Sequence, residues 1–161
     1  MGCTSAPLSF MLHIVLIEPR IPQNTGNIGR LCVATNAVLH LIHPLGFTLD
    51  EKHLKRAGLD YWQHLEKYEW DNITHFWQYH TPDSKHFFLS TKAKTPYYQA
   101  NFQKECFLYF GREDAGISET ILKTYATQTL TIPMSKHARS LNLATSVGIV
   151  AYEALRQIGF K

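Results

Sequence analysis

Long apolar runs are missing from this 161-residue sequence. Nothing in it approaches the roughly 20 consecutive apolar residues of a membrane span, so no membrane partner is expected. Cysteine is scarce: Cys3, Cys32 and Cys106 are odd in number, scattered, and form no C-x-x-C pair. That argues against a disulfide framework and predicts reduced thiols in a cytoplasmic setting. Charge of one sign is also lacking, since 16 Lys and Arg stand against 13 Asp and Glu for a net +3. Net charge alone therefore announces no polyanion partner. The nine histidines include no H-E-x-x-H, and His40 and His43 lie three apart in a strand and its exit, so no metal site is expected. The opening "MGCTSAPLSF" has Ala6 where a myristoylation signal needs Ser or Thr, and it has neither the basic lead nor the cleavage site of a signal peptide. Residues 1–10 are expected to be a short extension ahead of a single domain, 11–161.

What is present is an alternation. Short apolar, β-branched or aromatic runs predict strands at Leu12–Ile17, Val38–His43, Lys85–Thr91, Cys106–Gly111 and Thr129–Met134. Between them, helices are expected over Thr25–Thr35, Glu51–Ala57, Asn72–Tyr79, Ser118–Tyr125 and about Leu141–Gln157. Continuous apolar strands alternating with helices define an α/β fold with a largely parallel sheet covered on both faces. The last helix carries one stripe, Leu143, Val147, Val150, Ala151, Ala154 and Ile158, with Gly148 inside it. A glycine there costs about 1 kcal/mol relative to Ala, which suits either a tight helix–sheet contact or a subunit interface.

Three strand-to-helix loops hold unusual polar chemistry. The first is "IPQNTGNIGRLC", Ile21 to Cys32. It matches neither the G-x-G-x-x-G dinucleotide fingerprint nor the G-K-[ST] ending of a P-loop, so its glycines do not announce a phosphate cradle. A helix starting near Thr25 would make Asn24 its N-cap and project Arg30 toward the carboxyl edge of the sheet, where ligands sit in open α/β folds. The second is "YFGREDAGIS", Tyr109 to Ser118, with a glycine where the backbone must turn or approach closely. The third is "IPMSKHARSLNLATS", Ile132 to Ser146, where Arg139, Ser140 and Asn142 surround an expected helix start near Ser140.

Together these clusters resemble the SPOUT class of RNA 2′-O-methyltransferases, most closely its YibK-like branch of tRNA wobble-ribose methylases. The resemblance runs from Met11 to about Phe160 on "EPRIPQNTGNIGRLC", "KRAGLDYW", "FGREDAG" and "IPM…RSLNLATSVGIVAYEA", in that order. It implies an α/β SPOUT fold, its largely parallel sheet flanked by helices, with a C-terminal trefoil knot. The knot would bind S-adenosylmethionine, with cofactor contacts at Leu89, Gly111, Ile132 and Ser140, and Leu141 beside them. It implies Arg30 at the catalytic centre, acting with cofactor held by the other subunit of a homodimer whose interface includes the last helix. Asn142 and Ser140 would orient ribose or cofactor, and S-adenosylhomocysteine would be the product. Departures are Ser118 in place of a common Pro, Asn36 in place of Gly, and "TKAK" (Thr91 to Lys94) without the Gly often found there. Ser118 suits an N-cap, and Asn36 suits a left-handed helix end.

The implied reaction needs no metal, because the methyl group is already activated by positive sulfur. A guanidinium stays protonated in proteins, so Arg30 is better suited to stabilising developing alkoxide charge, or to holding a phosphate, than to removing a proton. For the RNA, Lys52, Lys55 and Arg56 stand ahead of Tyr61 and Trp62, and Arg112, Lys136 and Arg139 fall in the site loops. Basic groups near aromatics suit phosphate contact and base stacking, and a chain without an added RNA-binding domain suits a small exposed target such as a tRNA anticodon stem-loop. Two rivals stay open: the same chemistry on another RNA such as ribosomal RNA, and a non-catalytic RNA-binding homologue. A Rossmann-type small-molecule methyltransferase is disfavoured by the missing early glycine fingerprint.

Overall fold

Alternation within the central strands decides the architecture. The computed structural model describes residues 12–50 and 60–160. It contains a seven-stranded sheet in which every strand pairing is parallel. The strands are β1 (Leu12–Ile17), β2 (Val38–Ile42), β3 (Lys67–Trp70), β4 (His86–Leu89), β5 (Thr95–Pro96), β6 (Cys106–Phe110) and β7 (Thr129–Thr131). Their order across the sheet is β3-β2-β1-β6-β4-β7-β5. On β1, Leu12, Ile14 and Leu16 enter one core while Val15 and Ile17 enter the other. On β6, Cys106, Leu108 and Phe110 join the first core, and Phe107 and Tyr109 the second. Helices α1 (Pro22–Thr35) and α4 (Leu143–Ile158) cover the first face, and α2 (Ile73–Tyr79) and α3 (Glu119–Thr124) cover the second. Each side of the sheet is thereby dry, as a parallel sheet requires.

Several boundaries differ from the sequence expectation. Helix α1 begins at Pro22, because proline with its fixed φ and missing N–H fits the first helical position. Asn24 is therefore inside the first turn and is not the N-cap; that position belongs to Ile21. Helix α4 starts at Leu143, not near Ser140, and its cap is Asn142, whose Oδ1 accepts from the Thr145 amide at 3.2 Å. Ser118 caps α3 by accepting from the Ile121 amide, and Asn36 ends α1 at φ 55° in the left-handed region. Strands β3 and β5 were not expected. They are the two edges of the sheet, where Glu69 faces solvent and Pro96 is tolerated, so their sequences lack the apolar signal of buried strands. The expected extension 1–10 and the expected helix Glu51–Ala57 lie outside the described residues. A β-carbon added at Gly148 would meet nothing within 4 Å, so this glycine does not serve a tight helix–sheet contact within the chain.

The second core contains a layer of imidazoles near the amino ends of the strands. Phe107 is stacked between His13 at 4.2 Å and His86 at 4.3 Å, ring centre to centre, its register partners on β1 and β4. Trp70 Nε1 donates to His40 Nδ1 at 3.1 Å, so the proton of neutral His40 sits on Nε2 and faces His13 Nδ1 at 2.9 Å. Trp77 Nε1 donates to the Tyr109 hydroxyl at 2.9 Å, which leaves that hydroxyl to donate to His86 Nδ1 at 2.7 Å. The layer is thus satisfied by neutral rings. Burial, reinforced by the neighbouring imidazoles, holds His13 at about 4 and His40 at about 2. Burial also holds His86 at about 4, with Asp83 pulling the other way.

These rings bind protons more readily in the unfolded chain than in the fold. Stability is therefore whole above about pH 6.5 and declines as pH falls toward 4. The urea midpoint is expected to drop from pH 7 to pH 5, before carboxylate protonation dominates. A midpoint unchanged over that interval would show that the layer does not control acid stability.

Candidate active site

The carboxyl ends of three neighbouring strands meet at one cavity. Leu89 closes β4, Phe110 closes β6 and Thr131 closes β7, and the loops that follow line a space of about 290 Å³. That volume lies near the lower end of small-molecule sites, roughly 300–1,000 Å³. Leu89, Gly111, Ile132, Ser140 and Leu141, the five positions singled out for cofactor contact, all line it. Phe110, Ile117 and Leu143 add apolar wall, and Ser90, Thr91 and Ser146 add hydroxyls. Arg30, Arg139 and Asn142 are not among the lining residues.

One wall is a loop folded back on itself. The Arg112 amide donates to Gly116 O at 3.3 Å, and the Gly116 amide donates to Arg112 O at 2.8 Å. Gly116 takes φ +69°, and a β-carbon on Gly111 would lie 2.1 Å from the Gly116 carbonyl carbon. Only glycine fits where the chain crosses so closely. Arg112 closes the loop further through a two-pronged pair, Nε to Asp114 Oδ1 at 3.0 Å and Nη2 to Oδ2 at 2.8 Å. Its guanidinium is thus already engaged within the loop.

A second set of bonds ties the three polar loops together. Glu113 Oε1 accepts from the Arg20 amide at 2.8 Å, and its Oε2 accepts from the Ile21 amide at 2.9 Å. The carboxylate therefore sits at the amino end of α1, where unpaired amides favour negative charge. Burial opposes its ionisation, but these amides and the Asn24 side chain together hold its carboxyl below the usual range. Asn24, buried, donates through Nδ2 to Glu113 Oε2 at 3.2 Å and accepts at Oδ1 from Asn142 Nδ2 at 3.0 Å. Neither the bridging role of Asn24 nor the tie made by Glu113 was visible in the sequence. The available signal was only that both are polar residues inside the motifs, since their meeting depends on segments 89 residues apart.

The glycines of the first loop serve packing. Tyr61 donates its hydroxyl to Gly26 O, and a β-carbon on Gly29 would lie 2.7 Å from the Trp62 ring. Both aromatics belong to a short 3₁₀ turn, Asp60–His64, that rests on α1. They are therefore half-buried supports of the helix. Arg30 is exposed, with its guanidinium carbon 5.9 Å from the Tyr61 ring centre. Because α1 starts at Pro22, Arg30 sits about 12 Å along the helix from its first residue, farther from the sheet's carboxyl edge than a start at Thr25 implied. Arg139 is exposed in the loop before α4. Lys52, Lys55 and Arg56 lie outside the described residues. Among the described residues no group of His, Cys, Asp or Glu is arranged to hold a metal, and no helix is long and apolar enough to cross a membrane.

Comparison with known proteins places this geometry. The model of the SpoU rRNA Methylase family matches residues 11–152, and the chain belongs to that family. A Yersinia pestis protein named tRNA (cytidine(34)-2'-O)-methyltransferase is 44% identical over 161 residues, spanning 93% of this chain and 96% of the relative. An Aeromonas hydrophila protein of the same name is 44% identical over 93% of this chain and 96% of its own length. A solved structure described as giving insight into the 2-OH methylation of C/U34 on tRNA superposes with a TM-score of 0.85 at 44% identity, covering 92% of this chain and 97% of that one. An RNA 2'-O ribose methyltransferase structure at 22% identity and TM-score 0.78 shares the fold, over 98% of this chain and 60% of that one.

The Asn24 bridge can be broken without changing its shape. Asn24→Asp keeps the acceptor for Asn142 but sets a carboxylate against Glu113 in place of a donor. We expect a urea midpoint below wild type at pH 7, equivalent to about 1–3 kcal/mol. The deficit should shrink as pH falls toward 4 and the pair shares a proton. A pH-independent deficit would show that repulsion with Glu113 is not its cause.

Proposed function

We propose that this protein is an S-adenosylmethionine-dependent RNA 2′-O-methyltransferase that modifies the wobble ribose, cytidine or uridine 34, of tRNA. The observation that carries the reading is the cavity at the ends of β4, β6 and β7, in a chain 44% identical over nearly its whole length to proteins named for that reaction. The donor set suits the cofactor. Leu89, Ile132 and Leu141 offer apolar surface for a base, while Ser90, Thr91, Ser140 and the loop backbones offer polar groups for a ribose and an amino acid. When bound, S-adenosylmethionine would supply a methyl group activated by positive sulfur, leaving S-adenosylhomocysteine as product.

The chain's own residues would provide positioning and charge. Holding reacting atoms in line removes much of an entropic barrier, and loops fixed by the Asn24 bridge are suited to that. Asn142 spends one Nδ2 hydrogen on Asn24 and its Oδ1 on capping α4, which leaves one amide hydrogen for ribose or cofactor. Arg30 would stabilise negative charge building on the 2′-oxygen, or hold a neighbouring phosphate. Its absence from the cavity lining fits a homodimer in which Arg30 of one subunit serves the cofactor held by the other. The open face of α4 at Gly148, with Tyr152 49% exposed on the same helix, supports an interface there. In the same reading the C-terminal part of the chain is threaded as a trefoil knot, and Arg139, with Lys52, Lys55 and Arg56, contacts the anticodon stem-loop. Buried thiols at Cys32 and Cys106 suit a cytoplasmic enzyme.

The test is transfer of labelled methyl from S-adenosylmethionine to tRNA lacking the wobble modification, followed by mapping of the labelled nucleotide. Wild type should label the ribose at position 34, and Arg30→Ala should transfer at least about a hundredfold more slowly while still binding cofactor. Label found only in ribosomal RNA would overturn the substrate. Absence of both transfer and cofactor binding would overturn the enzyme reading in favour of a non-catalytic RNA-binding protein.

A further inference from the structure

A second cavity, of about 370 Å³, lies beside the edge strand β5, between the "TKAK" loop and helix α3. Lys92, Lys94 and Lys123 rim it, and Ala93, Leu122 and Ala126 form an apolar floor. Lys92 is paired with Glu119 at 3.4 Å, and both side chains are mostly exposed. Lys94 and Lys123 are exposed and have no ion-pair partner among the described residues. The groove thus presents two uncompensated cations above a surface on which a sugar or base edge can lie. It borders the candidate active site, because Lys92 lines both cavities.

We infer that this lysine-rimmed groove holds the phosphate backbone of the substrate RNA next to the methyl-transfer cavity. The inference rests on the RNA-methylating reading given above, and it names where the strand leaves the site. Charge complementarity selects the occupant. Lysine ammoniums are mobile point charges that bind phosphates without reading sequence, and such contacts fix register while base contacts elsewhere specify. The chain's small net charge of +3 leaves little general attraction for a polyanion, so a local pair of unmatched lysines at the site's margin carries more of the grip. The short loop from Ser90 to Lys94 has a matching logic: the Lys92 amide donates to Ser90 Oγ at 3.0 Å and the Ala93 amide to Ser90 O at 3.3 Å. That turn sets Lys92 in the lining of both cavities and Lys94 in the lining of the second.

The experiment compares wild type with Lys94→Ala/Lys123→Ala and with the charge-keeping Lys94→Arg/Lys123→Arg. Unmodified tRNA binding is measured by filter retention over a range of salt, S-adenosylmethionine binding by calorimetry, and methyl transfer at saturating tRNA. For the alanine pair we expect tRNA affinity to fall about three- to tenfold at physiological salt and the salt slope to become shallower by about 1 for each lysine removed. Cofactor affinity and saturated turnover should match wild type, and the arginine pair should bind tRNA as wild type does. Unchanged tRNA affinity and slope in the alanine pair would overturn the groove while leaving the methyltransferase reading intact. Loss of cofactor affinity in that pair would also overturn it, because the lysines would then act through the fold of the site. Lysine-dependent tRNA binding by a wild type that transfers no methyl would uphold the groove and sink the catalytic reading instead.

Discussion

The carboxamide of Asn24 is the contact on which the arrangement of the site depends. It accepts from Asn142 and donates to Glu113, and so joins three segments that the sequence separates by 118 and 89 residues. A carboxamide suits the position because it offers an acceptor and a donor at opposite corners of one rigid plane. A carboxylate would repel Glu113, and an amine would meet Asn142 with no acceptor. Glu113 extends the tie by accepting the amides that precede α1, and Asn142 extends it by capping α4. Two helix starts and a tight loop are thereby held in one network at the carboxyl edge of the sheet. Loop residues that carry chemistry need such support, because a loop by itself has little packing to fix it.

The opposite end of the sheet answers a different demand. His13 and His86 lie near the amino ends of β1 and β4, stacked on Phe107, with His40 bonded between His13 and Trp70. Polar ring atoms inside an apolar layer are costly unless paired, and each pairing here works with a neutral imidazole. The hydrogen-bond chain fixes which nitrogen carries the proton. Stability and site chemistry are thus placed at different ends of the same strands. The layer that titrates lies away from the cavity, and the network holding the cavity uses carboxamides, amides and one carboxylate.

Much of this was legible in order of physical strength. The buried strands announced themselves because both faces of a parallel sheet must be apolar, and the alternation of Leu12 to Ile17 between the two cores follows from that. The caps at Ser118 and Asn36 were legible because they depend on a few adjacent atoms. The edge strands were hidden, since Lys67–Trp70 and Thr95–Pro96 need no apolar face and are strands only because a neighbour supplies hydrogen bonds. The start of α1 was misplaced because Pro22 and Asn24 both suit a helix beginning, and Asn24 was drawn inward by Glu113 and Asn142. The packing of the aromatic pair Tyr61 and Trp62 against α1 at Gly26 and Gly29 was also hidden, since it joins segments more than 30 residues apart.

The sequence by itself determined the α/β class, the buried strands and the caps at Ser118 and Asn36, and its resemblance to a known family pointed to the five positions that gather around one cavity. The class, strands and caps follow from period and from short-range hydrogen bonding, which a linear chain displays, and the five positions from motifs shared with that family. Tertiary structure alone decided that Asn24 is a bridge, that Arg112 is bound by Asp114, that Gly111 must be glycine because Gly116 lies against it, and that Lys92 stands between two cavities. The physical reason is range. A hydrogen bond or steric contact acts over a few ångströms in space, and folding brings into that range residues whose separation along the chain carries no trace of it.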